Sequence, residues 1–184
     1  MMSSRFSKTS HGLPITIREA KLKDLDEIYK IETECFVEEA FTRMQLEYYL
    51  RSPIFITLIA EVNNEPAGFI IGAIEDNNDE TYGHIYTIDV KRRFRRMKVG
   101  SALLEALEKK FLCRGAQKAV LEARLDNTAA VKLYLKHGYS QVGIIKDYYG
   151  LGLDAARFEK NLQGNGNPLG SKRHIQEHKT HLLA

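Results

Sequence analysis

Residues 85–104 read IYTIDVKRRFRRMKVGSALL. Ile85, Thr87, Ile88 and Val90 are β-branched and suit a pleated, half-buried surface, so the stretch opens as a strand. It closes as a helix, because Leu103, Leu104, Leu107 and Phe111 return at helical spacing beside Ala102 and Ala106. Between the two lies Lys91-Arg92-Arg93-Phe94-Arg95-Arg96-Met97-Lys98, with six basic side chains and no acid, and Gly100 stands at the helix entrance. The first N–H groups of a helix lack intrahelical partners, and the helix dipole adds positive charge there. A strand running through a basic turn into such a terminus is therefore built for an anion, and Gly100 removes the Cβ that would hold a phosphate off the backbone. A solvated basic loop ahead of an ordinary amphipathic helix is the plainer reading, and a nucleic-acid patch is a third.

Charge distribution bears on that choice. The 184 residues carry a net charge of +3, yet without the basic turn and the two ends the remainder is acidic. One concentrated positive spot on an acidic body fits a compact polyanion better than a long nucleic-acid track, so no specific nucleic acid is expected. A composition of 43% hydrophobic and 28% charged residues is that of a globular domain. No apolar run reaches membrane-span length, and MMSSRFSKTSHGLP lacks the apolar middle of a signal peptide, so no membrane partner is expected. The two cysteines, Cys35 and Cys113, make no metal spacing, which points to a reduced, cytoplasmic setting without a bound metal.

Outward from the central stretch, residues 1–13 read as a flexible arm and Ile15–Arg18 as a first strand. Asp24 is placed to cap a helix over Leu25–Glu34, and a second helix is expected from Thr42 to Leu50, ending before Pro53. Strands are expected at 54–62, 67–74 and 82–90, joined by Asn-rich turns into an antiparallel meander. A helix over 99–114 stops at Gly115; then come a strand at 119–124, a helix over 128–136 capped by Asp126 or Asn127, and strands within 139–149 and 155–162. The strand–helix–strand passage from Tyr82 to Arg124 is long enough for a right-handed crossover, which makes its two strands parallel neighbours. The fold class is thus α/β (α+β): a mixed central sheet of about seven strands with helices on both faces. The stretch 163–184 reads as a flexible polar and basic tail; its His174, His178 and His181 share a helical spacing, but no carboxylate or thiol joins them at ligand spacing.

Alternation puts Glu122 and Arg124 on one face of the 119–124 strand, His84 begins the neighbouring strand, and Asn127 and Tyr134 lie about two turns apart on one helix. A carboxylate, an imidazole and a phenol can so converge beside the anion site. Each also has a structural reading: Glu122 paired with Arg124 or Lys118, His84 a satisfied strand-end residue, and Tyr134 a core aromatic.

These residues resemble the Gcn5-related N-acetyltransferase (GNAT) superfamily, and within it the RimI-type and archaeal protein N-terminal acetyltransferases. The likeness covers about residues 14–162, which it marks as an N-acetyltransferase domain. The family pattern R/Q-x-x-G-x-G/A falls on Arg95-Arg96-Met97-Lys98-Val99-Gly100, with Lys98 where the family has its first glycine. The pattern N-x-x-A-x-x-L-Y-x-K-x-G-F/Y is matched throughout by residues 127–139, and Lys146-Asp147-Tyr148-Tyr149 resembles the tyrosine pair that holds a peptide. The resemblance implies the GNAT fold, with a parallel strand pair splayed at an acetyl-CoA site, and acetyl-CoA as cosubstrate. It implies backbone pairing of Ile88, Asp89 and Val90 with the pantetheine arm, and the Val90 N–H on the thioester carbonyl. Arg95, Arg96, Met97, Lys98, Val99, Gly100 and Ser101 would cradle the pyrophosphate, with Asn127 also on the cofactor. Glu122 would be the base, Tyr134 the acid, and His84 a partner in ordering the catalytic water; Phe36, Glu38, Tyr148 and Tyr149 would line the peptide entrance. The substrate implied is a protein or peptide N-terminus, ribosomal proteins among others, with a ribosome or an auxiliary subunit as further partner.

The chemistry is consistent with those roles. A thioester is already activated, so the enzyme has to supply an uncharged amine, a donor for the carbonyl oxygen and a proton for the leaving thiolate. An α-amine titrates near ~8 and a lysine amine near ~10.4, which favours a free N-terminus at neutral pH. Transfer to a small amine or a lysine side chain, and a non-catalytic module docking on nucleic acid or a ribosome, are the alternatives.

Overall fold

The computed structural model describes residues 6–8, 12–36, 40–77 and 80–163. The strands are β1 (Phe6–Lys8), β2 (Pro14–Glu19), β3 (Phe55–Val62), β4 (Glu65–Asn77), β5 (Glu80–Val90), β6 (Lys118–Arg124), β7 (Ser140–Ile145) and β8 (Ala155–Asn161). The helices are α1 (Leu25–Cys35), α2 (Arg43–Arg51), α3 (Val99–Cys113) and α4 (Thr128–Lys136). All eight strands join one sheet in the order β1-β2-β3-β4-β5-β6-β8-β7. β3 to β5 form the expected antiparallel meander, β2 pairs antiparallel with β3 at its edge, and β5 and β6 are the expected parallel neighbours.

Two differences from the sequence reading have local causes, and at α4 the structure selects one of the two expected caps. β1 lies within the stretch read as a flexible arm and pairs antiparallel with β2, Ser7 opposite Ile15, an edge pairing that polar residues make through their backbone. Asp24 does not cap α1. Its carboxylate accepts from the Lys21 N–H at 2.8 Å and takes both terminal nitrogens of Arg18, at 2.8 and 2.9 Å, closing a short 3-10 turn over Leu22–Asp24 instead. At α4 it is Asn127 that caps, accepting from the Ala130 N–H at 3.2 Å, while Asp126 pairs with Arg124. The His-bearing tail lies outside the described residues.

The sheet divides two clusters. On one face α3 and α4 cover Phe111, Phe158, Leu103, Leu104 and Ile70, all fully buried. On the other, α1 and α2 bring Ile28, Ile31 and Leu46 onto Ile59, Phe69 and Ile71. Burying each such side chain contributes about 1.5–3 kcal/mol. α3 comes close enough that a Cβ on Gly83 of β5 would sit 2.1 Å from Phe111 Cδ2, so only glycine lets the ring lie on the sheet. Among the described residues no helix is long and apolar enough to cross a membrane.

Candidate active site

β5 and β6 pair only from Tyr82–Lys118 to Ile85–Leu121, and beyond that no pairing joins them. The separation begins where the β4–β5 register shifts between Ile71 and Gly72, leaving Tyr86 as an extra residue on β5; a bulge of this kind bends the strand. Past the bulge, the Lys91 N–H donates to Ala67 O of β4 at 3.0 Å. By alternation the Asp89 backbone also turns to β4, and Ile88 and Val90 present their backbone groups to the gap. The Asp89 side chain is buried and accepts from Thr87 Oγ1 at 2.8 Å. The Val90 carbonyl is already taken by Arg95 Nε at 3.1 Å, which leaves its N–H for a ligand.

The gap runs into the basic turn. Arg96 (φ 65°) and Lys98 (φ 67°) are left-handed, and within the turn the Arg95 and Met97 N–H groups donate to Arg92 O and Phe94 O. Intrahelical bonding in α3 starts with the Ala102 N–H donating to Lys98 O, so Val99, Gly100 and Ser101 point N–H groups out of the helix end. A Cβ on Gly100 would meet Leu133, Val90 and Ile88 at 3.4–3.9 Å; the glycine is thus not demanded by packing and keeps the space beside the gap open. α1 fixes the turn from behind, through Glu27 Oε1 on Lys91 Nζ at 2.6 Å and Glu34 Oε1 on the Arg92 N–H at 2.7 Å.

Across the gap a row of charges crosses four adjacent strands, β4, β5, β6 and β8. Glu75 Oε1 lies 2.8 Å from His84 Nδ1, and His84 Nε2 lies 2.7 Å from Glu122 Oε2. Arg157 Nη1 completes the row 2.8 Å from Glu122 Oε1. Tyr82 and Tyr86 donate their hydroxyls to Glu75 at 2.8 and 2.7 Å. Burial opposes charge on His84, but hydrogen bonds to the two carboxylates outweigh it and push its pKa up to about 9. It is therefore an imidazolium at neutral pH with both N–H groups committed. The same contacts, with the Arg157 charge, overcome burial and hold Glu122 below the usual carboxylate range, so Glu122 is anionic and able to accept a proton. His84 steadies the fold fully below its ordinary value and loses that contribution as pH rises through about 9.

The structure thus joins His84 to Glu122 directly, while Lys118 pairs with Glu80. Tyr149 Oη donates to the Glu122 carbonyl at 3.2 Å, and its ring stands edge-on to Tyr148 at 4.9 Å, so the tyrosine pair flanks the carboxylate. Tyr134 packs on Tyr139 and Phe158 on the opposite face, in the cluster that also holds Leu121 and Ala123. Burial and the Asp89 charge raise the Tyr134 pKa, which keeps the phenol protonated. Phe36 stands at the C-terminus of α1, half-buried, and Glu38 lies outside the described residues. Sequence reasoning missed Glu75 and Arg157. The one signal for Glu75 is an acid closing the apolar run from Ile70 to Ile74; Arg157 had none, because its partner is set by β6–β8 register, Glu122 opposite Arg157.

Residues 25–139 match the Acetyltransferase (GNAT) family. The chain belongs to that family. It is 31% identical to an N-alpha-acetyltransferase of Sulfurisphaera tokodaii over 82% of this chain and 95% of that protein. The crystal structure of Ard1 from Thermoplasma volcanium superposes with a TM-score of 0.70 at 29% identity, covering 80% of this chain and 97% of that one. Arabidopsis thaliana NAA60 in complex with acetyl-CoA shares the fold, with a TM-score of 0.71 at 17% identity over 82% and 99% of the two chains. This GNAT protein is an acetyl-CoA-dependent N-acetyltransferase, and the splayed strands, outward N–H groups and basic turn fit that cosubstrate. Among its described residues no group of three or more His, Cys, Asp or Glu side chains could hold a metal ion.

Proposed function

We propose that this acetyltransferase modifies the α-amino group of protein N-termini, with catalysis in residues 14–162. The observation that carries the reading is the anionic Glu122, held by His84 and Arg157 and flanked by Tyr148 and Tyr149, at the mouth of the β5–β6 gap. The names of the relatives, N-alpha-acetyltransferase in Sulfurisphaera tokodaii and Ard1 in Thermoplasma volcanium, support it.

In this reading the backbone of Ile88 and Val90 receives the pantetheine arm, and the stretch from Arg95 to Ser101, with Asn127, holds the phosphates. A bound thioester supplies an activated acetyl carbonyl, and Val90 N–H donates to its oxygen. Glu122 takes the ammonium proton through a water, with His84 holding the carboxylate in place through its committed Nε2–H, and the freed nitrogen attacks directly in a ternary complex. Tyr134, protonated at every physiological pH, returns a proton to the leaving thiolate. Because the paired Glu122 is a weak base, the substrate amine has to be one that is easily deprotonated. An α-amine near ~8 meets that demand better than a lysine near ~10.4. Tyr148, Tyr149, Phe36 and Glu38 line the peptide entrance, and N-termini of ribosomal proteins are within the substrate class. A ribosome or an auxiliary subunit is the expected partner.

The test is mass spectrometry of peptides differing in their first two residues after incubation with acetyl-CoA, beside lysine peptides with blocked N-termini and polyamines. Acetyl groups on α-amines are expected. Label on lysine or polyamine alone would overturn the assignment.

A further inference from the structure

One member of the charged row, Glu75, takes no part in the proposed reaction. It lies on β4 opposite Tyr82, and Tyr82, His84 and Tyr86 alternate along β5 beside it. All three aim a polar atom at its carboxylate. The Tyr86 hydroxyl and His84 Nδ1 meet Oε1 at 2.7 and 2.8 Å, and the Tyr82 hydroxyl meets Oε2 at 2.8 Å. His84 is thus held between two acids, because Glu122 Oε2 lies 2.7 Å from its Nε2. An ionised carboxylate only accepts, so both ring nitrogens have to carry a hydrogen. A neutral imidazole has one N–H to offer and would turn a lone pair on one of the two acids.

We propose that Glu75 is a positioning residue for acetyl transfer: gripped by the Tyr82 and Tyr86 hydroxyls, it keeps a hydrogen on His84 Nδ1, and the doubly protonated ring holds Glu122 ready for the substrate amine. Exposure falls along the row, from 30% for the Glu75 side chain through 17% for His84 to 5% for Glu122, so Glu75 stands at the solvent end and acts on Glu122 only through the ring. Arg157 takes the other Glu122 oxygen at 2.8 Å, which fixes the base from β5 and β8 at once. Burial raises the Glu75 pKa, but the bonds from His84, Tyr86 and Tyr82 outweigh it and bring it down to about 2, so the anion is present at neutral and alkaline pH. The remaining neighbours of the ring are phenols and one lysine. Tyr86 lies 4.7 Å from it, Tyr49 of α2 6.1 Å beyond Tyr86, and Lys118 stands over Tyr82 at 5.8 Å, while Tyr148 feels the charges of Glu122, Arg157 and Glu75. Burial pushes Tyr82 and Tyr148 up to about 12 and raises Tyr49 and Tyr86 as well, so His84 loses its proton before any of these phenols. Once the ring is neutral, its single N–H cannot serve both acids, and Glu122 is left unheld part of the time.

This rests on Glu122 being the base, and the experiment separates the two. Nitrogen-15 NMR of the histidine side chains, assigned with His84→Asn, reads the ring without any substrate. Wild-type His84 should carry both N–H groups at neutral pH and titrate at about 9. Glu75→Gln keeps the shape and removes the charge, so the midpoint should lie about 1–3 pH units lower, the effect of one lost charge partner. Glu75→Asp keeps the charge and should stay nearer the wild-type midpoint than Glu75→Gln does. With acetyl-CoA and an accepted peptide, wild-type kcat should fall as pH rises through about 9. In Glu75→Gln this alkaline limb should move down with the NMR midpoint and lower kcat at neutral pH by about tenfold, with neither KM changed, because Glu75 touches neither substrate. A wild-type His84 that is neutral at neutral pH overturns the proposal, as does a midpoint unmoved by Glu75→Gln, or a moved midpoint with the kinetic limb left in place. Failure of the base assignment shows elsewhere: Glu122→Gln then keeps its turnover, while the NMR midpoints still report on Glu75.

Discussion

On the α3–α4 face of the sheet, Phe111, Phe158, Leu103 and Ile70 are fully buried, and α3 lies so close that two β-strand glycines, Gly72 and Gly83, are needed beneath Phe111. On the α1–α2 face, Glu32 and Asp89 are buried, and the linked Glu75, His84 and Glu122 are half-buried. The same sheet therefore carries two environments. One stores stability in close-packed apolar surface, and the other holds charges whose cost is offset only by one another. The gap between β5 and β6 lies where the Tyr86 bulge ends the parallel pairing. If the division is right, substitutions on the charged face should reduce turnover, and substitutions on the apolar face, the Tyr134 hydroxyl apart, should reduce stability.

The largest effect is expected at Glu122. Glu122→Gln keeps the shape and removes the anion, so kcat should fall by about 100- to 10,000-fold, the range for loss of a general base. Acetyl-CoA affinity, measured by calorimetry, should be unchanged. A loss below several-fold would remove Glu122 from the chemistry.

Tyr134→Phe probes the same reaction from the apolar side. The ring stays packed against Tyr139 and Phe158, and only the hydroxyl is lost. Turnover should drop by about 100-fold with little change in acetyl-CoA binding. Unchanged turnover would leave Tyr134 as a core aromatic, the plainer reading its sequence position also allowed.

Gly83→Ala reverses the readout. The added carbon would overlap the Phe111 ring, 2.1 Å from Cδ2 and 2.3 Å from Cγ, and neither the ring nor β5 has room to yield. Stability should fall by about 1–3 kcal/mol in chemical denaturation, with acetyl-CoA still bound by the folded fraction. A neutral result would mean that α3 is packed more loosely than the distances imply.

The two environments were not equally legible in the sequence. The strand, basic turn and helix of residues 85–104 declared themselves through local spacing, and α4 formed over the residues its pattern marked, because helix periodicity and an Asn cap are local properties. His84 and Glu122 were placed by strand alternation alone. Glu75 and Arg157 were not, because their roles depend on which residue lies opposite across β4–β5 and on β6–β8 register. Such pairings join residues distant in sequence, and no short window contains them.

The smallest effect, and the one that separates geometry from charge at the basic turn, lies at Lys98. Lysine holds φ 67° and ψ 9° at the start of α3, a left-handed conformation that costs a non-glycine residue about 1 kcal/mol. Lys98→Gly releases that strain, partly offset by the freedom glycine has in the unfolded chain, so Tm should rise by no more than a few degrees. Lys98→Ala keeps the strain and removes the same cation. Both variants should bind acetyl-CoA several-fold more weakly at low salt, and the deficit should shrink as salt screens the phosphates. Equal melting temperatures for the glycine and alanine variants would show that the backbone is not strained there. Full affinity in both would mean that the turn binds through backbone N–H groups alone, with the lysine contributing only its place in the chain.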